Sequence, residues 1–287
     1  MRIARDLDSL RAATAALRAG GRALALVPTM GALHAGHLAL VAEARRLAPA
    51  TAVSIFVNPL QFAAGEDLGR YPRDEAGDLA ALQDAGCDLA WLPTPRVMYP
   101  PGAATAVEVG GPAEGWEGAA RPGHFRGVAT VCTKLFGQTG ADLAVFGEKD
   151  WQQLQVVRRA VRDLDLPVRI VGMPTVREAD GLAMSSRNRF LSAAERALAP
   201  RLHRAMRRAA AAIGEGAAVA ETLAAGAAAL GAAGFGVDYF ALVEAATLRP
   251  ADALPAGGEA RLVAAARLGT VRLLDNLPVP LEGGLAP

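Results

Sequence analysis

At 287 residues the chain is long enough for one large or two modest domains with a sizeable core. Its 52% hydrophobic and 21% charged residues exclude a disordered chain. A formal net charge of +1 supplies no general attraction to nucleic acid or to acidic membranes.

The opening residues, Met1-Arg-Ile-Ala-Arg-Asp-Leu-Asp8, place acids where a signal peptide needs an apolar core. No apolar run approaches the roughly 20 residues of a membrane span, so a cytoplasmic protein with no membrane partner is expected. Arg22–Pro28 reads as a short buried strand and Ala35–Leu47 as an amphipathic helix. Val53-Ser-Ile-Phe-Val57 is a second β-branched run, closed by Asn58-Pro59. Glu75–Ala85 is helical with Gly86 as its C-cap, and Cys87–Leu92 is strand-like. Cys87 and Cys132 lie in apolar surroundings without CxxC or metal-ligand spacing, which predicts two buried, reduced thiols. Helix is expected over Phe125–Phe136 and Trp151–Asp163, strand over Asp142–Phe146 and Val168–Val171. Strands alternating with helices predict an α/β fold, a Rossmann-like parallel sheet covered by helices on both faces.

After Asn188 the pattern changes. Ser192-Ala-Ala-Glu195 is a capping box opening a helix to about Ile213, and a second alanine-rich helix starts near Ala217. Val237–Val243, Arg261–Ala266 and Val271–Leu274 follow as strands with no helices between them, which predicts a smaller α+β domain with an antiparallel sheet. The expected domains are 1–174 and 175–287. Arg201, Arg204, Arg207 and Arg208 recur at helical spacing and read as a solvated face, so no nucleic-acid partner is expected.

The residues that bear on chemistry begin at Pro28-Thr-Met-Gly-Ala-Leu-His-Ala-Gly-His37, where the first strand gives way to its helix. Gly31 and Gly36 have P-loop spacing, but His37-Leu38 stands where Lys and Ser/Thr belong, and no Gly-x-Gly-x-x-Gly is present. A metal pair lacks a third ligand, and a pair of core histidines would need two sets of polar partners. Phosphate suits the pattern better. A helix N-terminus offers free amides and a partial positive charge, and His34 and His37, three apart, can project from that first turn toward one anion. Gly36 lacks the Cβ that would hold a nucleotide away from the backbone. A second pointer is composition: of 30 Lys and Arg residues only Lys134 and Lys149 are lysine, which draws attention to Gly147-Glu-Lys-Asp150.

His34-Ala-Gly-His37 resembles the HxGH signature of the nucleotidylyl-transferase superfamily. The longer string from Pro28 resembles the pantothenate synthetase (pantoate–β-alanine ligase) family. Four more blocks agree in order: Val53-Ser-Ile-Phe-Val-Asn-Pro-Leu-Gln-Phe62, Arg121-Pro-Gly-His-Phe-Arg-Gly-Val128, Phe146-Gly-Glu-Lys-Asp-Trp-Gln-Gln-Leu154 and Met184-Ser-Ser-Arg-Asn188. The resemblance covers nearly the whole chain and is diffuse after about residue 191.

The resemblance implies ATP-dependent condensation of (R)-pantoate with β-alanine through a pantoyl-adenylate, releasing AMP and diphosphate. It assigns ATP to Met30, Gly31, Ala32, Leu33, His34, Ala35, Gly36 and His37, to Gly147, Glu148, Lys149 and Asp150, and to Val176, Met184, Ser185, Ser186 and Arg187. Within that set His37, His34, Lys149 and Arg187 are the expected catalytic groups, with Ser185-Ser186-Arg187 as a phosphate clamp at the domain junction. Gln61 and Gln153 are the expected ligands of pantoate and β-alanine, and Gln152 the decoy beside Gln153. Phe56 reads as core or as a wall for the pantoate methyls; His124, Arg126 and Arg121 read as a substrate-facing or a helix-entry loop. Mg²⁺ is implied on the ATP phosphates, with no protein metal ligand assigned, and the family implies a homodimer. Leu60, Trp151 and Gly77 depart from the family pattern; the last leaves Asp78 as the remaining acid there. Two other readings stay open: a transferase whose product keeps the nucleotide, and a non-catalytic nucleotide sensor.

Overall fold

The computed structural model describes residues 1–63, 65–255 and 258–279; residues 280–287 of the second expected domain lie outside them. The chain divides into two compact units, Met1–Glu148 with Gln152–Pro174, and Lys149–Trp151 with the residues from Thr175 on.

In the first unit β1 (Arg2–Ala4), β2 (Leu24–Thr29), β3 (Ala50–Ile55), β4 (Leu89–Trp91), β5 (Leu143–Gly147) and β6 (Arg169–Met173) form one sheet in the order β1-β4-β3-β2-β5-β6. Every pairing is parallel. Parallel neighbours require crossover segments, here α1 (Leu7–Leu17), α2 (Ala35–Leu47), α3 (Glu75–Asp84), the short α4 (Pro95–Met98) and α5 (Trp116–Ala120), α6 (His124–Thr139) and α7 (Trp151–Asp163). β1 and α1 escaped the sequence reading. Three residues show no period, and α1 starts on a capping box in which Ser9 stands in for the usual Glu or Gln.

Successive strand residues point to opposite faces. Ala25 and Val27 of β2, with Val53, Ala90, Leu143 and Val145, pack with Leu40, Val41 and Ala44 of α2 and Leu82 of α3. The alternate residues Leu24 and Leu26 are fully buried too, and Phe136 of α6 meets Phe146 of β5 edge-on at 6.5 Å. A sheet covered twice explains apolar runs in place of strict alternation.

β2 is where the strand order reverses: β3 and β4 follow on one side of it, β5 and β6 on the other. β2 and β5 pair only at Ala25↔Leu143 and Leu26↔Ala144, although they continue to Thr29 and Gly147. Pro28, which has no N–H to donate, lies beyond the last of these pairs. The two central strands therefore part at their carboxyl ends, the place where open α/β sheets form a ligand crevice.

The second unit contains α8 (Ala193–Leu198), α9 (Arg201–Gly214), α10 (Val219–Ala232) and an antiparallel sheet β7-β8-β9, with β7 spanning Gly236–Glu244, β8 Ala260–Leu268 and β9 Val271–Val279. The single helix expected from Ser192 to about Ile213 is two helices, because Pro200 cannot continue an interior turn and instead heads α9. Leu202, Met206, Ala210 and Ile213 of α9 share a core with Leu262, Ala264 and Ala266 of β8. Arg201, Arg204, Arg207 and Arg208 are all exposed, the solvated face their spacing predicts. β9 runs past Leu274, the end expected for it, because Asp275 and Asn276 interrupt the apolar pattern yet are buried. Cys87 and Cys132 are free and buried, and no helix among the described residues is long and apolar enough to cross a membrane.

Candidate active site

The segment after β2 is shaped by a buried acid. Gly31 and Ala32 both adopt positive φ, +79° and +51°, a conformation that costs a non-glycine residue roughly 1 kcal/mol. The carboxylate of Asp78, on α3, accepts the N–H of Ala32 at 2.9 Å and of Leu33 at 2.7 Å, which holds the turn. A Cβ on Gly31 would stand 2.8 Å from that carboxylate. Thr29 completes the loop, its hydroxyl donating to the carbonyl of Ser54 at 2.7 Å and accepting from the N–H of Gly31 at 3.2 Å. Sequence reading named Asp78 only as a leftover acid; its partners lie 46 and 45 residues away, beyond any local signal.

His34 and His37 form a capping box of their own at the start of α2. The Nδ1 of His34 accepts the Gly36 N–H at 3.1 Å, and the Nδ1 of His37 accepts the His34 N–H at 3.3 Å. The rings lie 4.1 Å apart, centroid to centroid, and both residues are half-buried. With each Nδ1 acting as acceptor, the proton of a neutral ring is fixed on Nε2, so that each imidazole offers a donor at its far edge. The expectation of open backbone amides in this turn is therefore corrected. Gly36 is capped by His34, His37 N–H bonds the His34 carbonyl at 2.8 Å, and Asp78 occupies Ala32 and Leu33. What the turn presents in their place is a pair of imidazoles.

Gln61 is brought to this loop. It is buried, and its amide Nε2 donates to the thioether of Met30 at 3.1 Å. Its Oε1 accepts from Asn58, whose amide also donates to the carbonyl of Gly127 at 3.1 Å and whose Oδ1 accepts the Tyr99 hydroxyl at 2.7 Å. Burial raises the Tyr99 hydroxyl pKa, so it stays a donor. Gly127, on α6, allows this turn to sit directly on the helix: a Cβ there would be 2.3 Å from the Leu60 carbonyl oxygen and 2.7 Å from the Gln61 nitrogen.

The Arg121–His124 loop acts on the same residue from behind. His124 Nδ1 donates to the Gln61 carbonyl at 2.8 Å while its Nε2 faces the Arg121 guanidinium at 3.1 Å. Burial, and then the Arg121 charge, push the His124 pKa down to about 4. Arg121 also forks onto Glu66 at 2.7 and 2.8 Å. Arg126, the third basic residue of that loop, is exposed. Phe56 is buried beside Tyr99.

Gln152 and Gln153 divide as their helical angle requires. Gln152 is buried and spends its amide on the loop before α6, accepting from Glu117 N–H at 2.9 Å and donating to the Pro112 and Glu114 carbonyls at 3.0 and 3.1 Å. Gln153 is half-buried.

The remaining expected residues belong mostly to the second unit. β5 ends at Gly147, and Glu148–Asp150 form one 3₁₀ turn before α7. Lys149 Nζ lies 3.2 Å from the Asp150 carboxylate, with the lysine side chain 20% exposed. Val176 and Met184 are paired backbone to backbone, Met184 N–H donating to the Val176 carbonyl at 3.0 Å, and a bridge joins Arg177 to Ala183. Ser185 caps the 3₁₀ turn Ser186–Phe190 by accepting the Arg187 N–H at 3.3 Å.

This order of parts matches known proteins. The family model for pantoate–β-alanine ligase matches residues 2–278. The chain belongs to that family. It is 61% identical over 280 residues to a pantothenate synthetase of Acidiphilium cryptum, covering 97% of this chain and all of the relative. To that of Granulibacter bethesdensis it is 57% identical, over 96% of each chain. The crystal structure of pantothenate synthetase from Thermus thermophilus superposes with a TM-score of 0.91 at 53% identity, over 97% of this chain and 99% of that one. Pantoate–β-alanine ligase from Francisella tularensis, complexed with β,γ-ATP and β-alanine, gives 0.80 at 29% identity over 97% of each.

Among the described residues no group of His, Cys, Asp and Glu side chains could cage a metal ion. Asp78 is committed to backbone amides. Asp150, 48% exposed, remains beside Lys149. An exposed carboxylate is the kind of oxygen donor a hard cation takes.

Proposed function

We propose that this chain joins (R)-pantoate to β-alanine in two steps, adenylating pantoate with ATP and then aminolysing the pantoyl-adenylate. Ligase activity toward pantoate and β-alanine follows from the family, which matches nearly the full chain. The carboxylate oxygen of pantoate attacks the α-phosphorus, the bond from that phosphorus to its bridging oxygen breaks, and diphosphate leaves. The β-alanine nitrogen then adds to the acyl carbon, loses a proton, and the C–O bond to AMP breaks.

The observation that carries the reading is the His34–His37 pair, with each Nδ1 tied to backbone so that the proton of each neutral ring sits on Nε2, and the ring centroids 4.1 Å apart. Two such donors suit the charge that builds on the α- and β-phosphates, and donors fixed in advance are where electrostatic catalysis gains most. Gln61, held from four directions, is the pantoate ligand in this reading, since an amide can serve a hydroxyl and a carboxylate together. Gln153, the other amide ligand, lies on the α7 surface that Gln152 leaves free. Lys149 and Arg187, with Ser185 and Ser186, are the cationic and hydroxyl groups for the departing diphosphate, and Met184 and Val176 the backbone for adenine. Mg²⁺ on the phosphates would supply further charge neutralisation. A cytoplasmic homodimer is the assembly the family resemblance supports.

The test supplies MgATP and pantoate, with and without β-alanine. Diphosphate release with pantoate alone, and AMP with pantothenate in equal amounts once β-alanine is added, is the expected result. ADP as product, or a nucleotide retained on the final product, rules the reaction out.

A further inference from the structure

Two neighbouring residues of β9 hold both cation-bearing segments of the second unit. Because strand side chains alternate, Asp275 and Asn276 leave opposite faces of the β7-β8-β9 sheet. Asp275 pairs with Ala264, on the face whose core includes α9. Its carboxylate takes the Arg177 guanidinium in a fork at 2.6 and 2.9 Å, with the aspartate side chain only 3% exposed. Arg177 opens the hairpin that runs through the Arg177–Ala183 bridge and the Met184–Val176 bond into Ser185-Ser186-Arg187.

Asn276, on the other face, donates its amide to the carbonyl of Lys149 at 2.8 Å. The amide is itself oriented: Arg261, a buried arginine on β8, donates to Asn276 Oδ1. The Arg261 guanidinium lies 3.4 Å over the centre of the Trp151 ring, and the Trp151 indole N–H bonds the Ala245 carbonyl at 2.7 Å. A planar guanidinium can both stack and donate, which a lysine there could not do. The Asn276 backbone N–H closes the unit by donating to Asp275 Oδ1 at 2.8 Å.

We infer that Asp275-Asn276 is the positioning element for the phosphate cations, Asn276 setting Lys149 and Asp275 setting Arg187 through Arg177. Neither residue is among the groups read as substrate ligands. The inference rests on the reading of Lys149 and Arg187 as diphosphate ligands. A displacement of about 1 Å in such a group is enough to slow the chemical step severely.

Two double-mutant cycles test it, with diphosphate release from pantoate and MgATP as the readout. Asn276→Asp keeps an acceptor for Arg261 but removes the donor to Lys149; Asp275→Asn keeps the shape but loosens the Arg177 fork. Each single change is expected to lower kcat by about tenfold or more with melting still cooperative. The Asn276→Asp loss should largely vanish in a Lys149→Ala background and persist in Arg187→Ala; the Asp275→Asn loss should do the reverse. If Asp275→Asn does not fold, Arg177→Lys, which keeps the charge without the fork, replaces it. Losses that multiply in full with the matching cation variant, or wild-type kcat in the single variants, overturn the inference alone. Wild-type kcat in Lys149→Ala and Arg187→Ala overturns the cation assignment together with it.

Discussion

The two units prepare their functional groups by opposite means. In the turn after β2 the side chains proposed for the phosphates are themselves the helix cap, and the cap bonds of His34 and His37 span no more than three residues. In the second unit Lys149 and the hairpin leading to Ser185–Arg187 are bonded by side chains far along the chain, at sequence separations of 127 for Lys149 and Asn276 and 98 for Arg177 and Asp275. A self-capping motif is compact in sequence and cannot move without unwinding its helix. A network assembled from distant strands can hold more than one segment, but only after the whole unit has folded.

Removing the functional groups themselves should have the largest effect. His37→Ala deletes both an Nε2 donor and the acceptor of the His34 N–H. Loss of one preorganised donor costs about 10²–10³ in kcat, while loss of a cap costs only about 0.5–2 kcal/mol. Lys149→Ala should match the first figure and spare stability, because its carbonyl, which is what Asn276 binds, remains. Single-turnover adenylation and thermal melts on the two variants separate these outcomes. Equal destabilisation by both would erase the contrast between the two designs.

The same contrast decides what the sequence could reveal. Short apolar runs alternating with helical segments made the parallel sheet readable, and the HxGH string drew attention to the turn after β2 because its pattern is local. The supporting roles of Asp78, Asn58 and Gly127 were not readable. Asp78 meets its amides across 46 and 45 residues, and Asn58 meets Gly127 across 69. Arg261 opened one expected strand and Asn276 lay beyond the end of another; the sheet register puts the two on one face, and the fold brings Trp151 under the Arg261 guanidinium. Trp151, noted in the sequence as a departure, is explained as the surface on which Arg261 stacks.

A smaller effect probes the first unit's own long-range support. Gly127→Ala would drive a methyl group into the Leu60 carbonyl and the Gln61 nitrogen. Overpacking of this kind costs about 1–3 kcal/mol. The turn moves more easily than the helix beneath it, so KM for pantoate should rise while KM for ATP changes little. Equal shifts in both constants would mean that Gln61 is no closer to pantoate than to ATP. Asp78→Asn keeps the side chain's size but weakens two charge-assisted bonds to the turn, at a cost of about 1–3 kcal/mol. It should raise KM for ATP, the converse of the glycine variant.

The last effect appears only as pH falls. His124 has a pKa of about 4 in the folded chain, depressed by burial and by Arg121, against about 6.5 when unfolded. Between those values the unfolded chain binds a proton that the folded chain does not, so stability falls as pH falls through this window and is fully present above it. The full difference is worth about 3 kcal/mol near pH 4 and fades to nothing toward neutrality. Glu66, whose burial is outweighed by Arg121 so that its pKa lies below the ordinary value, acts in the same sense at lower pH. His124→Asn cannot take up a proton, yet its amide can still donate to the Gln61 carbonyl. The difference in urea midpoint between pH 7 and pH 4.5 should therefore shrink in this variant. An unchanged difference would show that the buried imidazole is not the group titrating.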